Sequence, residues 1–124
     1  MTAPTGRRTP AQATGLGAED AAARLLARHG LEIVARNYRT RLGEIDLVAR
    51  DGATLVFVEV RSRASGRFGG ALESVTAAKR RRLVAAARQY LSRLRREPPC
   101  RFDVVTLEAG EPAWLRGAFE VAAG

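Results

Sequence analysis

Two apolar runs in the first half of this chain carry carboxylates: Gly43-Glu44-Ile45-Asp46-Leu47-Val48, and then Phe57-Val58-Glu59-Val60-Arg61. A carboxylate inside a strand is costly to bury unless a cation or a donor meets it. Asp46 and Glu59, with the Arg61 guanidinium two residues beyond the second, read as a hard-cation site beside a phosphate-binding group. Mg²⁺ suits such a pair, because it takes few carboxylates, keeps several waters and accepts substrate phosphate as a ligand; Mn²⁺ is the alternative ion. The chemistry would be metal-assisted phosphodiester hydrolysis. Asp46 and Glu59 would be the metal ligands, and Glu44 and Glu19 could contribute directly or through water.

These side chains need a scaffold. Residues 44–50 and 54–63 alternate as strands, and Asp51-Gly52 between them is a hairpin signal. Side chains two apart share a face, so Glu59 points with Arg61, and Asp46 with Glu44 and Val48. An even loop centred on Asp51-Gly52 pairs Asp46 with Phe57 and makes it the diagonal neighbour of Glu59, about 7–8 Å away. A three-residue loop puts the two acids on opposite faces. Periodicity leaves both open.

Residues 15–29 predict a helix closed by Gly30, with Asp20 and Arg24 an i,i+4 pair and Glu19 toward the sheet. Residues 31–38 predict a strand. Ser65 to Gly70 form a glycine-rich loop without the lysine and spacing of a P-loop. Residues 77–96 predict a helix with Thr76 as N-cap, an apolar stripe of Leu83, Ala86, Ala87, Tyr90 and Leu94, and a stop at Pro98-Pro99. Residues 100–108 predict a further strand, and an element of open type follows near Trp114 to Phe119. Residues 1–13 read as a disordered tail and 14–124 as one domain. Strands in this order with helices between them give an α/β class, a sheet with helices packed on it.

The formal charge of +8 and pI of about 11.3 point to a polyanionic partner. Of the 21 basic residues only Lys79 is a lysine. It aligns with Leu83, Ala86 and Tyr90, so it either looks over the sheet or snorkels from the stripe's edge. Arg39, Arg41, Arg61, Arg63 and Arg67 flank the acids and are candidate phosphate clamps. The arginines of the second helix are either a second patch or a solvated face. No base-reading element is visible, which favours structure-specific or non-specific binding. Glu44 reads as a partner of Arg41, and Asp103 as half of a structural ion pair. A single cysteine, Cys100, excludes an intrachain disulfide, and a single histidine, His29, disfavours histidine-based catalysis and reads as capping. No apolar run approaches the ~18 residues of a membrane span, no apolar stretch follows Arg7 and Arg8, and the cytoplasm is the expected location.

Gly17-x-Glu19-Asp20, Asn37-Tyr38-Arg39, Gly43-Glu44-Ile45-Asp46-Leu47, Phe57-Val58-Glu59-Val60-Arg61-x-Arg63, Val75-Thr76-x-x-Lys79 and Arg101-Phe102-Asp103-Val104-Val105 together resemble the YraN family of small bacterial proteins. That family is similar to the PD-(D/E)XK nucleases, archaeal Holliday-junction resolvases in particular. The resemblance implies a restriction-endonuclease-like core, a mixed sheet flanked by helices, and a nuclease acting on DNA, branched DNA included. It implies that Asp46 is the metal-binding aspartate, Glu59 the acid of the Glu-x-Lys pair and Glu19 the helix-borne glutamate. A homodimer follows from the resolvase likeness alone. Arg61 stands where the superfamily has lysine. An arginine can clamp a phosphate but does not deprotonate in proteins. The metal alone would then activate water, Lys79 would substitute, or the protein would be a nucleic-acid-binding module with weak or lost catalysis. A pure binder has no need of three acids facing a polyanion.

Overall fold

The computed structural model describes residues 10–63, 75–109 and 111–119, with the side chains of residues 10–16 and of residue 63 left aside. The glycine-rich loop and Arg67 lie outside the described residues. The elements are α1 (Pro10–Arg28), β1 (Glu32–Arg39), β2 (Glu44–Asp51), β3 (Thr54–Arg63), α2 (Ala77–Leu91), β4 (Cys100–Glu108) and β5 (Glu111–Phe119). The strands form one sheet in the order β1-β2-β3-β4-β5. Only the β3–β4 pair is parallel, and its crossover carries α2.

Each helix covers one face of this sheet. Ala22, Ala23 and Leu26 of α1 pack on Leu47, Ala49, Val56, Val58 and Val105. Leu83, Ala86 and Ala87 of α2 pack on Ile45, Val48, Leu55, Phe57 and Phe102. Leu55 to Val58 are all buried, as a central strand covered on both sides requires. The result is an α/β fold consistent with a restriction-endonuclease-like core.

The observed elements follow the predicted ones with instructive differences. α1 begins at Pro10, five residues before the predicted start, and ends as expected at Gly30, whose φ is +90°. α2 stops at Leu91 with Ser92 as its cap, well short of residue 96. Arg93, Arg95 and Arg96 crowd like charge beyond that point, and Leu94 is 39% exposed, so no burial holds a further turn. The element of open type is a strand, β5.

The acid in β4 is structural. Asp103 is fully buried. It accepts hydrogen bonds from Arg101 Nε at 3.0 Å, Trp114 Nε1 at 2.9 Å and the Gly117 N–H at 2.9 Å. Arg101 also reaches Asp51 at 3.0 Å. The Gly117 bond falls where the β4–β5 register shifts, so the carboxylate satisfies an amide that the ladder leaves free. Asp103→Ala orphans these donors and leaves the partly buried Arg101 guanidinium with Asp51 alone of its two acidic partners. The expected loss is about 3–5 kcal/mol of stability, measured by denaturant unfolding, with Asp103→Asn less severe because its amide oxygen still accepts.

Candidate active site

The β2–β3 hairpin turns through Gly52-Ala53, with Asp51 paired to Thr54 and Gly52 at φ +62°. A glycine of positive φ at the first central position suits a tight two-residue hairpin. The turn centre lies one residue later than Asp51-Gly52. That shift moves the register by two and aligns Asp46 with Glu59 directly, not diagonally. The ladder itself stops at Leu47–Val58. Beyond it, the Val60 N–H donates to Asp46 Oδ2 at 2.8 Å.

Strict alternation fails at Asp46. Ile45 packs under α2 and Leu47 under α1, although two residues apart. β1 switches at the same level. Arg36 reaches Asp20 of α1 at 2.7 Å, whereas Tyr38 packs edge-on against Tyr90 of α2 at 5.1 Å. Between them Asn37 has φ +53°, in the left-handed region that asparagine tolerates better than most residues. Its amide donates to Glu19 Oε1 at 3.0 Å. Asn37 and Asp46 thus mark one level where both strands change face.

The Asp46 and Glu59 carboxyl groups adjoin closely enough for each to alter the other's ionisation. Burial raises the Asp46 carboxyl above its usual range. Burial first, and then the Asp46 charge, pushes Glu59 up to about 7. A proton taken up here titrates with the pair as a whole. Burial and the Asp46 charge also raise Glu19, against the Asn37 hydrogen bond.

Both acids line a cleft of about 420 Å³ formed by Arg39 to Glu44, Asp46, Glu59 to Arg61, and Lys79 and Arg82 of α2. Five cationic side chains face three carboxylates in it, so the cleft favours an anion even when all three acids are charged. Arg61 Nη1 sits 3.2 Å from Glu59 Oε2. Lys79, on the first turn of α2 behind the Thr76 cap, reaches the same cleft. Glu44 pairs with Arg39 at 3.3 Å, not with Arg41; both side chains are exposed and the bond is weak. Asp20 finds Arg36 on β1 in addition to anything Arg24 offers. His29 caps α1 through the Leu25 carbonyl.

Glu19 approaches Asp46 from the α1 side but is not part of the cleft wall. Arg63 ends β3, and its side chain and Arg67 lie outside the described residues. Sequence reasoning missed Arg82 and Asn37. Arg82 lies three residues after Lys79, hence on the same helix face, and that spacing was the available signal. Gly43 also has a steric role. A Cβ there would run into the Arg82 carbonyl and lie 2.9 Å from Arg82 Cβ, so glycine lets the β1–β2 turn close against α2.

Among the described residues no group of three or more His, Cys, Asp or Glu side chains is placed to hold a metal. The donor set is two adjoining carboxyl groups. It fits a Mg²⁺-like ion completed by water and phosphate, and does not fit a cage built wholly of protein ligands.

Fold and site define an α/β protein with a five-stranded mixed sheet, two helices and a paired-acid cleft. Residues 18–107 match the uncharacterised protein family UPF0102, and the chain belongs to that family, the YraN family of the sequence resemblance. A UPF0102 protein of Cupriavidus pinatubonensis is 59% identical over 112 residues, covering 89% of this chain and 87% of the relative. One from Cupriavidus taiwanensis is 60% identical over 111 residues, covering 88% and 84%. One from Herminiimonas arsenicoxydans is 50% identical over 113 residues, 91% of each chain. No helix of the described residues is long and apolar enough to cross a membrane.

Glu59 makes stability depend on pH. Its folded value of about 7 lies above the ordinary 4.5, so between these values the folded state binds more protons than the unfolded. The resulting stabilisation is complete below about pH 4.5 and is lost as pH rises through 7. In metal-free protein, Glu59→Gln should abolish this part of the pH dependence and leave the variant about 2–3 kcal/mol more stable relative to wild type at pH 8 than at pH 4. Paired urea titrations across that range measure it, and parallel stability profiles for the two proteins would refute it.

Proposed function

We propose that this protein is a metal-dependent nuclease that hydrolyses phosphodiester bonds in DNA, with branched or otherwise irregular DNA as the substrate class. The observation that carries the reading is the adjoining Asp46–Glu59 pair inside a cleft with a cationic excess. Two half-buried carboxyl groups whose proton affinity is raised by burial and by each other are suited to exchange a proton for a divalent cation. Asp46 and Glu59 would hold Mg²⁺ or Mn²⁺. Such an ion, when bound, supplies charge stabilisation at a phosphoryl oxygen and lowers the pKa of a coordinated water.

The protein's own groups do the rest. The Val60 N–H and Arg61 hold the two carboxylates in place. Arg41 and Arg82 accept the flanking phosphates as point charges and forks. Arg39 leaves its weak partner Glu44 at little cost when a phosphate arrives. Lys79 stands at the cleft wall, where a donor can meet the phosphate or the leaving oxygen, the role that Arg61, engaged with Glu59, fills less well. Glu19, tied to Asn37, adds negative charge behind Asp46 and strengthens its hold on a cation. The Arg61–Glu59 contact also favours a second reading, a nucleic-acid-binding module with weak or lost catalysis.

Linear, flapped and four-way-junction DNA, each with Mg²⁺, Mn²⁺ or EDTA, separate these readings. The expected result is metal-dependent cleavage that falls at least about 100-fold in Asp46→Asn and in Glu59→Gln. Calorimetric Mg²⁺ titration near pH 6 should also release protons, and release fewer in Glu59→Gln. Salt-sensitive binding that survives both substitutions, with no cleavage of any substrate, assigns the module instead.

A further inference from the structure

The turn joining β1 to β2 holds a feature that the acid pair does not use. Leu42, at its tip, is 63% exposed, against 38% for Val34 and 39% for Leu94, the other exposed large hydrophobics among the described residues. A lone exposed leucine is ordinary on a protein surface. This one is distinguished by how it is held. The Thr40 hydroxyl accepts from the Leu42 N–H at 3.1 Å and the Gly43 N–H at 3.0 Å. The hydroxyl also donates to the Gly43 carbonyl at 2.9 Å, and the Thr40 N–H donates to that carbonyl at 2.8 Å. Gly43 closes the turn against the Arg82 backbone of α2. The tip is therefore braced, and it lines the same cleft as Arg39, Arg41 and the less exposed Asp46 and Glu59.

We infer that Leu42 is a wedge that enters the base stack of a duplex beside the scissile phosphodiester, at a step already loosened by a branch, flap or mismatch. The inference rests on the reading of the cleft as a nucleic-acid site. Apolar side chains, leucine among them, open base steps in this way when flanking cations hold the phosphates on either side. Arg39 and Arg41 are placed to hold them. A protein-docking patch would need contiguous apolar neighbours, and apart from the half-buried Val60 the other residues of the cleft wall are threonine, glycine and charged residues. A polyanion with an apolar gap between its bases fits that combination. The wedge gives the substrate preference a physical cause: opening a step that has lost its pairing costs less than opening a step within intact duplex.

The test uses duplexes with 2-aminopurine at a flap junction or at the same position in linear DNA, with EDTA present to prevent cleavage. Fluorescence reports unstacking and anisotropy reports affinity. Wild type should brighten the junction probe more than the linear one. Leu42→Ala should reduce that rise at least about three-fold while affinity changes less than about three-fold, and Leu42→Met should restore it. Arg41→Ala should weaken binding and lower the salt slope by about 1. Far-UV dichroism confirms that each variant is folded. Salt-dependent binding with an unstacking signal equal in wild type and Leu42→Ala overturns the wedge and leaves the cleft reading intact. No binding to any nucleic acid overturns both. Loss of self-association in Leu42→Ala, seen by sedimentation with unstacking unchanged, overturns the wedge and assigns Leu42 to a protein contact.

Discussion

β2 and β3 separate beyond Leu47 and Val58, and the hydrogen bond from the Val60 N–H to the Asp46 carboxylate is what makes that separation tolerable. A sheet cannot open in a half-buried region without orphaning backbone amides. Here a side chain takes the amide that a continued ladder would have taken. The opening brings Asp46 and Glu59 face to face, makes room for the cleft and lets the β1–β2 turn lean on α2. Asn37 relieves the same level of β1 by its left-handed backbone, and its side chain ties that level to α1 through Glu19. The site is the place where regular pairing stops and the chain meets both helices.

Asp103 shows what a structural acid looks like in the same sheet. It is completely buried, and its oxygens meet a guanidinium, an indole N–H and a backbone N–H. Every partner is a donor, so the charged form is well served. Asp46 and Glu59 have fewer donors and each other. Burial and mutual repulsion then favour a shared proton, and Glu59 rises to about 7. One environment completes a carboxylate, and the other leaves a pair short of donors in a cleft lined by five cationic side chains.

Much of this was readable from residue order. The alternation at 54–63 and 100–108, the Thr76 cap and the Gly30 stop became β3, β4, the start of α2 and the end of α1. These signals are local, carried by neighbours within one turn or one strand. The failures have local causes too. The hairpin was centred one residue early because Asp-Gly is a strong turn pair, yet Asp51 is held in the ladder by Thr54 and reached by Arg101 from β4. The apolar stripe predicts a helix to residue 96 because it counts Leu94, yet Leu94 is 39% exposed and the helix ends at Leu91.

The sequence by itself determined which acids would have to find partners and that the chain is strongly cationic. It also determined the class of fold, since a carboxylate in an apolar run and a +8 chain are facts of composition and spacing. Tertiary structure decided which acids meet. Strict period-two alternation would have grouped Asp46 with Glu44 and Val48. The change of face at Asn37 and Asp46 turned Asp46 toward Glu59 instead, left Glu44 to Arg39 and put Glu19 behind the pair. It also brought Lys79 and Arg82 from α2 to the same cleft, more than 15 residues along the chain from Glu59. Periodicity describes one strand or helix at a time. Where a ladder is interrupted, the direction of a side chain is set by contacts from distant elements, and those exist only once the chain has folded.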